Sequence, residues 1–247
     1  MEYSFQKLKA ESLKDLFVKE MEAKIISGEL KPGDRLPPER EIAAQMGISR
    51  SIVNSGLIEL ASKGFVAIKP RKGTIVIDFR SEGTAQILTS IMNYNQGRLD
   101  MKLFYSMIDT RMLIEVESAK LAARNRDDKD LEALENLLKD IEGNTQPSID
   151  EIVEFNYKFH HRITVASGNI VFAMIFKSFE PVCKNLIRIY FEANDFRQES
   201  LEHHRQLYLS ILERNSEESE KIMKKILLQG KKVLKNYMVP GTKHKNI

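Results

Sequence analysis

The chain has 247 residues, 42% of them hydrophobic, which is enough to build the cores of two domains of ordinary size. Its 38 basic and 35 acidic residues nearly cancel to +3, so overall charge alone selects no partner. A single cysteine, Cys183, excludes an internal disulfide framework and fits a reducing, cytoplasmic setting, and no run of 18 apolar residues offers a membrane span. Cys183 itself reads as a small buried apolar residue. Residues 1–30 are amphipathic and charged, so no signal peptide is expected there.

The first predicted element is a helix whose stripe of Leu13, Leu16, Phe17, Met21, Ile25 and Ile26 runs to Gly28. Pro37 and Pro38 then suit a helix start, where a missing N–H does no harm, and Glu39 and Glu41 complement the positive helix end. Ile42, Ala43 and Met46 give that helix an apolar face, and Gly47 stands where a left-handed residue ends it. Ser49 is placed to cap a following helix with Val53, Leu57, Leu60 and Ala61 as its buried stripe. Two β-branched or aromatic runs, 65–68 and 74–77, flank Lys69-Pro70-Arg71-Lys72-Gly73 and predict a hairpin. Two short helices, a tight turn and a basic hairpin make a winged helix-turn-helix, whose second helix would enter the major groove of duplex DNA. Between Met46 and Val76 there are five basic residues and one acid, so positive charge gathers where a phosphate backbone would lie.

After residues 79–98, expected as a linker with a short connecting helix, the pattern changes. Apolar residues recur at three- and four-residue spacing over 100–124, 128–142, 149–167, 169–194, 196–214 and 216–238, with separators that include Asn194-Asp195. Only Gly230 interrupts a block from inside. The second half is therefore expected to be an antiparallel α-helical bundle. Its aromatic residues, among them Phe155, Phe159, Phe176, Tyr190 and Phe191, serve either as core or as the lining of a ligand cavity. The fold class is mainly α: a winged domain over 1–78 with a small β-hairpin, a bundle over 99–240 and a tail over 241–247. No His-Glu-x-x-His, phosphate loop or nucleophile elbow is present, so no enzyme is expected.

The N-terminal segment resembles the DNA-binding domain of the GntR family of bacterial transcription regulators. The resemblance rests on Pro32-Gly33-Asp34-Arg35-Leu36-Pro37, Glu39-Arg40-Glu41, Gly47-Ile48-Ser49-Arg50 and Gly73-Thr74-Ile75-Val76. It implies DNA contacts from Arg35, Arg40, Ser49, Arg50, Ser51, Asn54, Arg71, Lys72 and Gly73, with the wing tip in the minor groove. Arg35 would meet phosphate or the recognition helix. Ile52 and Asn54 stand where the family usually has Thr and Arg, which implies a shifted operator, since Asn pairs with adenine and Arg with guanine. Gly56 stands in place of a usual Ala and is expected to weaken its helix slightly.

The bundle is similar to the effector domain of the FadR branch of the same family, through Arg111 with Glu115, Asn156, Phe159-His160, the run from Ala166 to Asn169, and His204-Arg205. That branch often holds Zn or Ni with an Asp and three His. Here those positions carry Asn156, His160, His204 and Ile226, a weakened set for a divalent ion. The other reading is a polar cluster of Arg111, Asn156, His160 and His204, with Tyr190, that grips an anionic or carbonyl-bearing effector, Arg111 making a bidentate carboxylate contact. His161 and His203 receive no role. The resemblance implies a homodimeric regulator, a repressor, on palindromic double-stranded DNA, tuned by a small organic-acid or acyl-type effector. The alternatives are a metal-dependent member of the branch, or a hydrolase built on His160 and His204.

Overall fold

The computed structural model describes residues 11–193 and 196–239 and divides between Tyr94 and Asn95 into two compact units. The separator at Asn194-Asp195 and the tail over 241–247 lie outside the described residues.

The first unit holds α1 (Leu13–Ile26), α2 (Glu39–Met46), α3 (Arg50–Lys63), β1 (Val66–Lys69), β2 (Gly73–Val76), α4 (Phe79–Glu82) and α5 (Gln86–Tyr94). The local chemistry decides its boundaries. The Ser12 side chain caps α1 by accepting from the Asp15 N–H, and the Ser49 hydroxyl caps α3 by accepting from the Ile52 N–H. Gly47, at φ 65°, closes α2 in the left-handed region that other residues enter only at a cost. The two strands pair antiparallel with Val66 opposite Val76 and Lys69 opposite Gly73, and Arg35 adds a bridge to Ile75 on the outer edge. Phe17, Met21, Leu36, Ile42, Val53, Leu57, Leu60, Phe65 and Val76 form one buried core. Ile87 of α5 belongs to that core, with Phe79 and Ile91 packed on it. Most of the segment expected as a linker is thus part of the winged unit.

Gly56 corrects an expectation. A Cβ there would stand 2.3 Å and 2.6 Å from the ring carbons Cδ1 and Cε1 of Phe17, which is 2% exposed. The glycine admits the ring of α1 against α3. Gly56→Ala should therefore lower stability by about 1–3 kcal/mol through overpacking, although alanine is the better helix former by about 1 kcal/mol. Urea denaturation measures this, and a more stable variant would show that the ring slides aside freely.

The second unit holds α6 (Met101–Asn125), α7 (Asp128–Gly143), α8 (Ile149–Ala166), α9 (Ile170–Ser178), α10 (Glu180–Ala193), α11 (Arg197–Leu212) and α12 (Ser216–Leu234). Capping boxes start α7 at Asp127 with Asp130 and α8 at Ser148 with Glu151. Helix α6 packs on α8 and α12, α8 packs on α7, α9 and α10, and α11 packs on α7 and α12. Val239 pairs with Leu99 and Met101 through backbone hydrogen bonds, tying the two ends of the bundle together. The expected single helix over 169–194 is two helices broken at Phe179. Pro181 is the reason: its ring would clash with the carbonyl of Lys177 in a continuous helix, whereas it is tolerated in the first turn of α10.

Candidate functional site

Two sites emerge, one in each unit. In the winged unit, α2 presents Arg40 and the start of α3 presents Ser49, Arg50, Ser51 and Asn54, all exposed. The Ser49 and Ser51 hydroxyls lie 2.9 Å apart, and the Asn54 Nδ2–H donates to Glu39 Oε1 at 2.9 Å. This contact fixes the Asn54 amide and leaves its Oδ1 and second N–H for a base edge, the pair that reads adenine. The wing tip exposes Lys69, Arg71, Lys72 and Gly73. Arg71 has φ 61°, an unusual conformation for a side-chain-bearing residue. Arg35 lies along the wing: its Nε is 3.3 Å from where a Cβ on Gly73 would stand.

Several cations elsewhere in the unit are spent on ion pairs. Lys14, Lys24 and Lys63 are paired with Glu59, Glu29 and Glu22 respectively. Among the described residues, none of Arg35, Arg40, Arg50, Lys69, Arg71 and Lys72 takes part in an ion pair. Unpaired cations clustered beside a helix N-terminus are an anion-seeking surface.

In the bundle, α6 sets Arg111 and Glu115 one turn apart, so the two meet on one face. Arg111 Nε–H and Nη2–H donate to the Glu115 carboxylate at 2.5 Å and 3.2 Å, and His160 Nδ1 of α8 stands 2.5 Å from the same carboxylate. The bidentate carboxylate partner of Arg111 is therefore internal, and the expected free guanidinium is corrected. Glu115 is the residue whose role was missed, although its spacing from Arg111 was readable. Burial alone would raise the Glu115 pKa, but Arg111 and His160 outweigh it and hold the carboxyl down at about 2.

His204 of α11 is 1% exposed and packs edge-on to His160, with ring centroids 5.2 Å apart. Its Nδ1–H donates to the Ser200 carbonyl at 2.6 Å, while its buried Nε2 has no partner among the described residues. Burial, with His160 nearby, pushes its pKa down to about 3, so the ring stays neutral. Asn156 Nδ2–H donates to the Ile152 carbonyl at 2.8 Å, and the Ser200 hydroxyl reaches Asn156 Oδ1 at 3.4 Å. A cavity of about 60 Å³, room for a few waters, is lined by Arg111, Asn156, His160, Ser200 and Tyr190 with apolar walls from α6, α10 and α12. His204 braces this site from behind its wall, since it is not among the lining residues. Burial raises the Tyr190 hydroxyl to about 12, so it is a neutral donor.

The donor set does not fit a divalent metal. Both imidazoles are anchored at Nδ1, as metal-binding rings often are. However, the Glu115 charge is spent on Arg111, Asn156 is a neutral amide, and Ile226 supplies no donor. Among the described residues no group of three or more His, Cys, Asp or Glu could hold an ion. Cys183 is buried beside this cluster with its thiol pushed up to about 12, so it is no thiolate.

The two shifted groups set a pH dependence. In the unfolded chain His204 titrates near 6.5 but in the fold only near 3, so stability is complete above 6.5 and is lost as pH falls below it. One proton taken up by the unfolded chain costs about 1.4 kcal/mol per pH unit, or roughly 2–3 kcal/mol from pH 6.5 to 4.5. His161 and His203, also lowered by burial, act in the same direction. Below pH 4.5 Glu115 adds to the loss, because its folded carboxyl protonates only near 2. Urea titrations at pH 7, 5.5 and 4.5 should show this slope, and His204→Gln should flatten it by nearly one proton. An unchanged slope would mean that the folded ring carries a charge.

Comparison with known proteins agrees with both halves. Residues 106–229 match the FCD domain family, and residues 16–76 match the family of bacterial regulatory proteins described as gntR. The fatty acid metabolism regulator protein of Shewanella denitrificans is 27% identical over 184 residues, 74% of each chain. The HTH-type transcriptional regulator LutR of Bacillus subtilis is 27% identical over 218 residues, 86% of this chain and 97% of its own. A solved structure of Lar, which controls expression of the Listeria monocytogenes agr system, shares the fold at TM-score 0.65 and 18% identity, covering 93% of this chain and 99% of that one. No described helix is long and apolar enough to cross a membrane. The chain therefore belongs to the GntR family of bacterial regulatory proteins, as a DNA-binding transcription regulator with an FCD effector domain.

Proposed function

We propose that this regulator is a cytoplasmic repressor that binds a palindromic operator as a homodimer and releases it when a small effector enters the bundle cavity. The carrying observation is a set of exposed cations, Arg40 on α2, Arg50 at the start of α3 and Arg71 and Lys72 at the wing tip, with no ion pair among the described residues. Arg40 and Arg50 reach base edges and Asn54, held by Glu39, reads adenine. Arg71, Lys72 and Gly73 of the wing enter the minor groove, and Arg35 steadies that wing. The strained backbone of Arg71 supports its part, since a cost of about 1–3 kcal/mol is retained where the side chain is needed. Two copies would place two such helices on successive major grooves, which is why the operator is expected to be palindromic.

The effector site consists of Arg111, Asn156, His160 and Tyr190, with His204 behind them. Because Glu115 already neutralises Arg111, a second carboxylate gains less from this cluster than a free guanidinium would give. The cavity instead favours a head group that takes the remaining Arg111 donors and the Asn156 and Ser200 hydrogen bonds. The metal-dependent and hydrolase readings draw no support from this donor set. The test is selection of genomic fragments by the full chain, followed by gel shifts across salt. A recovered palindrome bound at least about 1000-fold over random DNA supports the assignment. Equal affinity for both would overturn it.

A further inference from the structure

Ile58 stands in the middle of α3 with 55% of its surface exposed, the one large apolar side chain of that helix that the fold leaves open. The core takes Val53, Leu57 and Leu60 from the other side of the helix, so packing does not require an apolar residue here. Helix propensity does not require it either, since a β-branched side chain is a poorer helix former than alanine. A lone surface isoleucine is ordinary, but its place on α3 is not. Ser51, Asn54 and Ser55 precede it by seven, four and three positions, so they share its face, and all are exposed. Ile58 thus continues the face that offers Asn54 to a base edge. The acid beside it, Glu59, is drawn to Lys14 and Lys63, so no free negative charge stands next to this face.

We propose that Ile58 is a specificity-determining residue that reads a thymine through its C5 methyl group. The proposal rests on the reading of α3 as the base-reading helix and extends it by one turn. In the major groove only thymine presents a methyl group, and an apolar side chain packs against it. Four residues advance about 6 Å along a helix, and successive bases are about 3.4 Å apart. The thymine therefore lies within about two base pairs of the adenine matched by Asn54. Its contribution is apolar contact without a hydrogen bond, so the loss of the one methyl group should weaken binding about three- to fivefold.

The test uses the full chain and the palindromic operator recovered by genomic selection. Each thymidine is replaced in turn by deoxyuridine, symmetrically in both half-sites, which removes the methyl group and keeps the base pair. Fluorescence anisotropy on wild type should show one position where the replacement weakens binding by about ten- to twentyfold, the product of two half-sites. In Ile58→Ala that sensitivity should vanish, while affinity for the unmodified operator falls to the wild-type value on the uracil operator. Ile58→Val should keep part of the effect. The exposed position should leave the melting temperature of both variants unchanged, which separates lost reading from lost folding. Uracil sensitivity that is the same in wild type and Ile58→Ala would overturn the proposal. So would a variant that loses operator and random DNA alike, or one that sediments as a smaller species, because Ile58 would then serve phosphate contact or pairing of copies. Failure to recover any preferred operator would instead overturn the reading of α3 itself.

Discussion

Arg111→Ala should destabilise the helical unit by about 3–5 kcal/mol, the range for removing one partner of a buried ion pair. Glu115 is fully buried and its carboxyl is held ionised mainly by Arg111, with His160 as the second support. Without the guanidinium, either an uncompensated charge or a forced protonation remains in the core. The melting temperature should fall by roughly 10 °C, since each kcal/mol is worth about 2–4 °C in a domain of this size. The double variant Arg111→Met, Glu115→Met should recover most of the loss, because neutral side chains of similar volume leave no buried charge behind. A single-variant loss below about 1 kcal/mol by urea denaturation would show that water reaches Glu115. Loss of effector response in Arg111→Ala is therefore not by itself evidence of a ligand contact; the double variant is the cleaner probe.

Arg40→Ala and Arg50→Ala should each weaken specific operator binding by about 1–3 kcal/mol, and together by more than either alone. Both side chains are exposed, and neither is in an ion pair among the described residues, so their removal should leave thermal stability within about 0.5 kcal/mol. Lys72→Ala should behave differently. A wing lysine on phosphate weakens operator and random DNA alike and lowers the salt slope by about one. Gel shifts against operator and random fragments at several salt concentrations distinguish these patterns. An Arg50→Ala variant that keeps full discrimination would remove that residue from the base-reading set.

Much of the winged unit was legible because its boundaries are set by neighbours in the chain. The Ser49 hydroxyl caps the helix that begins beside it, Gly47 takes the left-handed turn between two apolar stripes, and the basic tip lies between two β-branched runs. The break at Phe179 is also local, and Pro181 signalled it, but the strong apolar periodicity on both sides masked the interruption. The site in the bundle was legible only as a set of residue types. Arg111, Asn156, His160 and His204 do gather in one region, yet their roles depend on partners far away in the chain.

The sequence by itself determined the helix caps, the hairpin, the helical periods and the concentration of positive charge, because each depends on residues a few positions apart. Only the tertiary structure decided that Glu115 joins His160 across a separation of 45 residues, so that Arg111 is already neutralised. Only it decided that the ring of Phe17 fills the space at Gly56, whereas the space at Gly230 stays open. Local patterns fix which groups a segment offers; whether a charge is spent or a space is filled depends on what the fold brings against it.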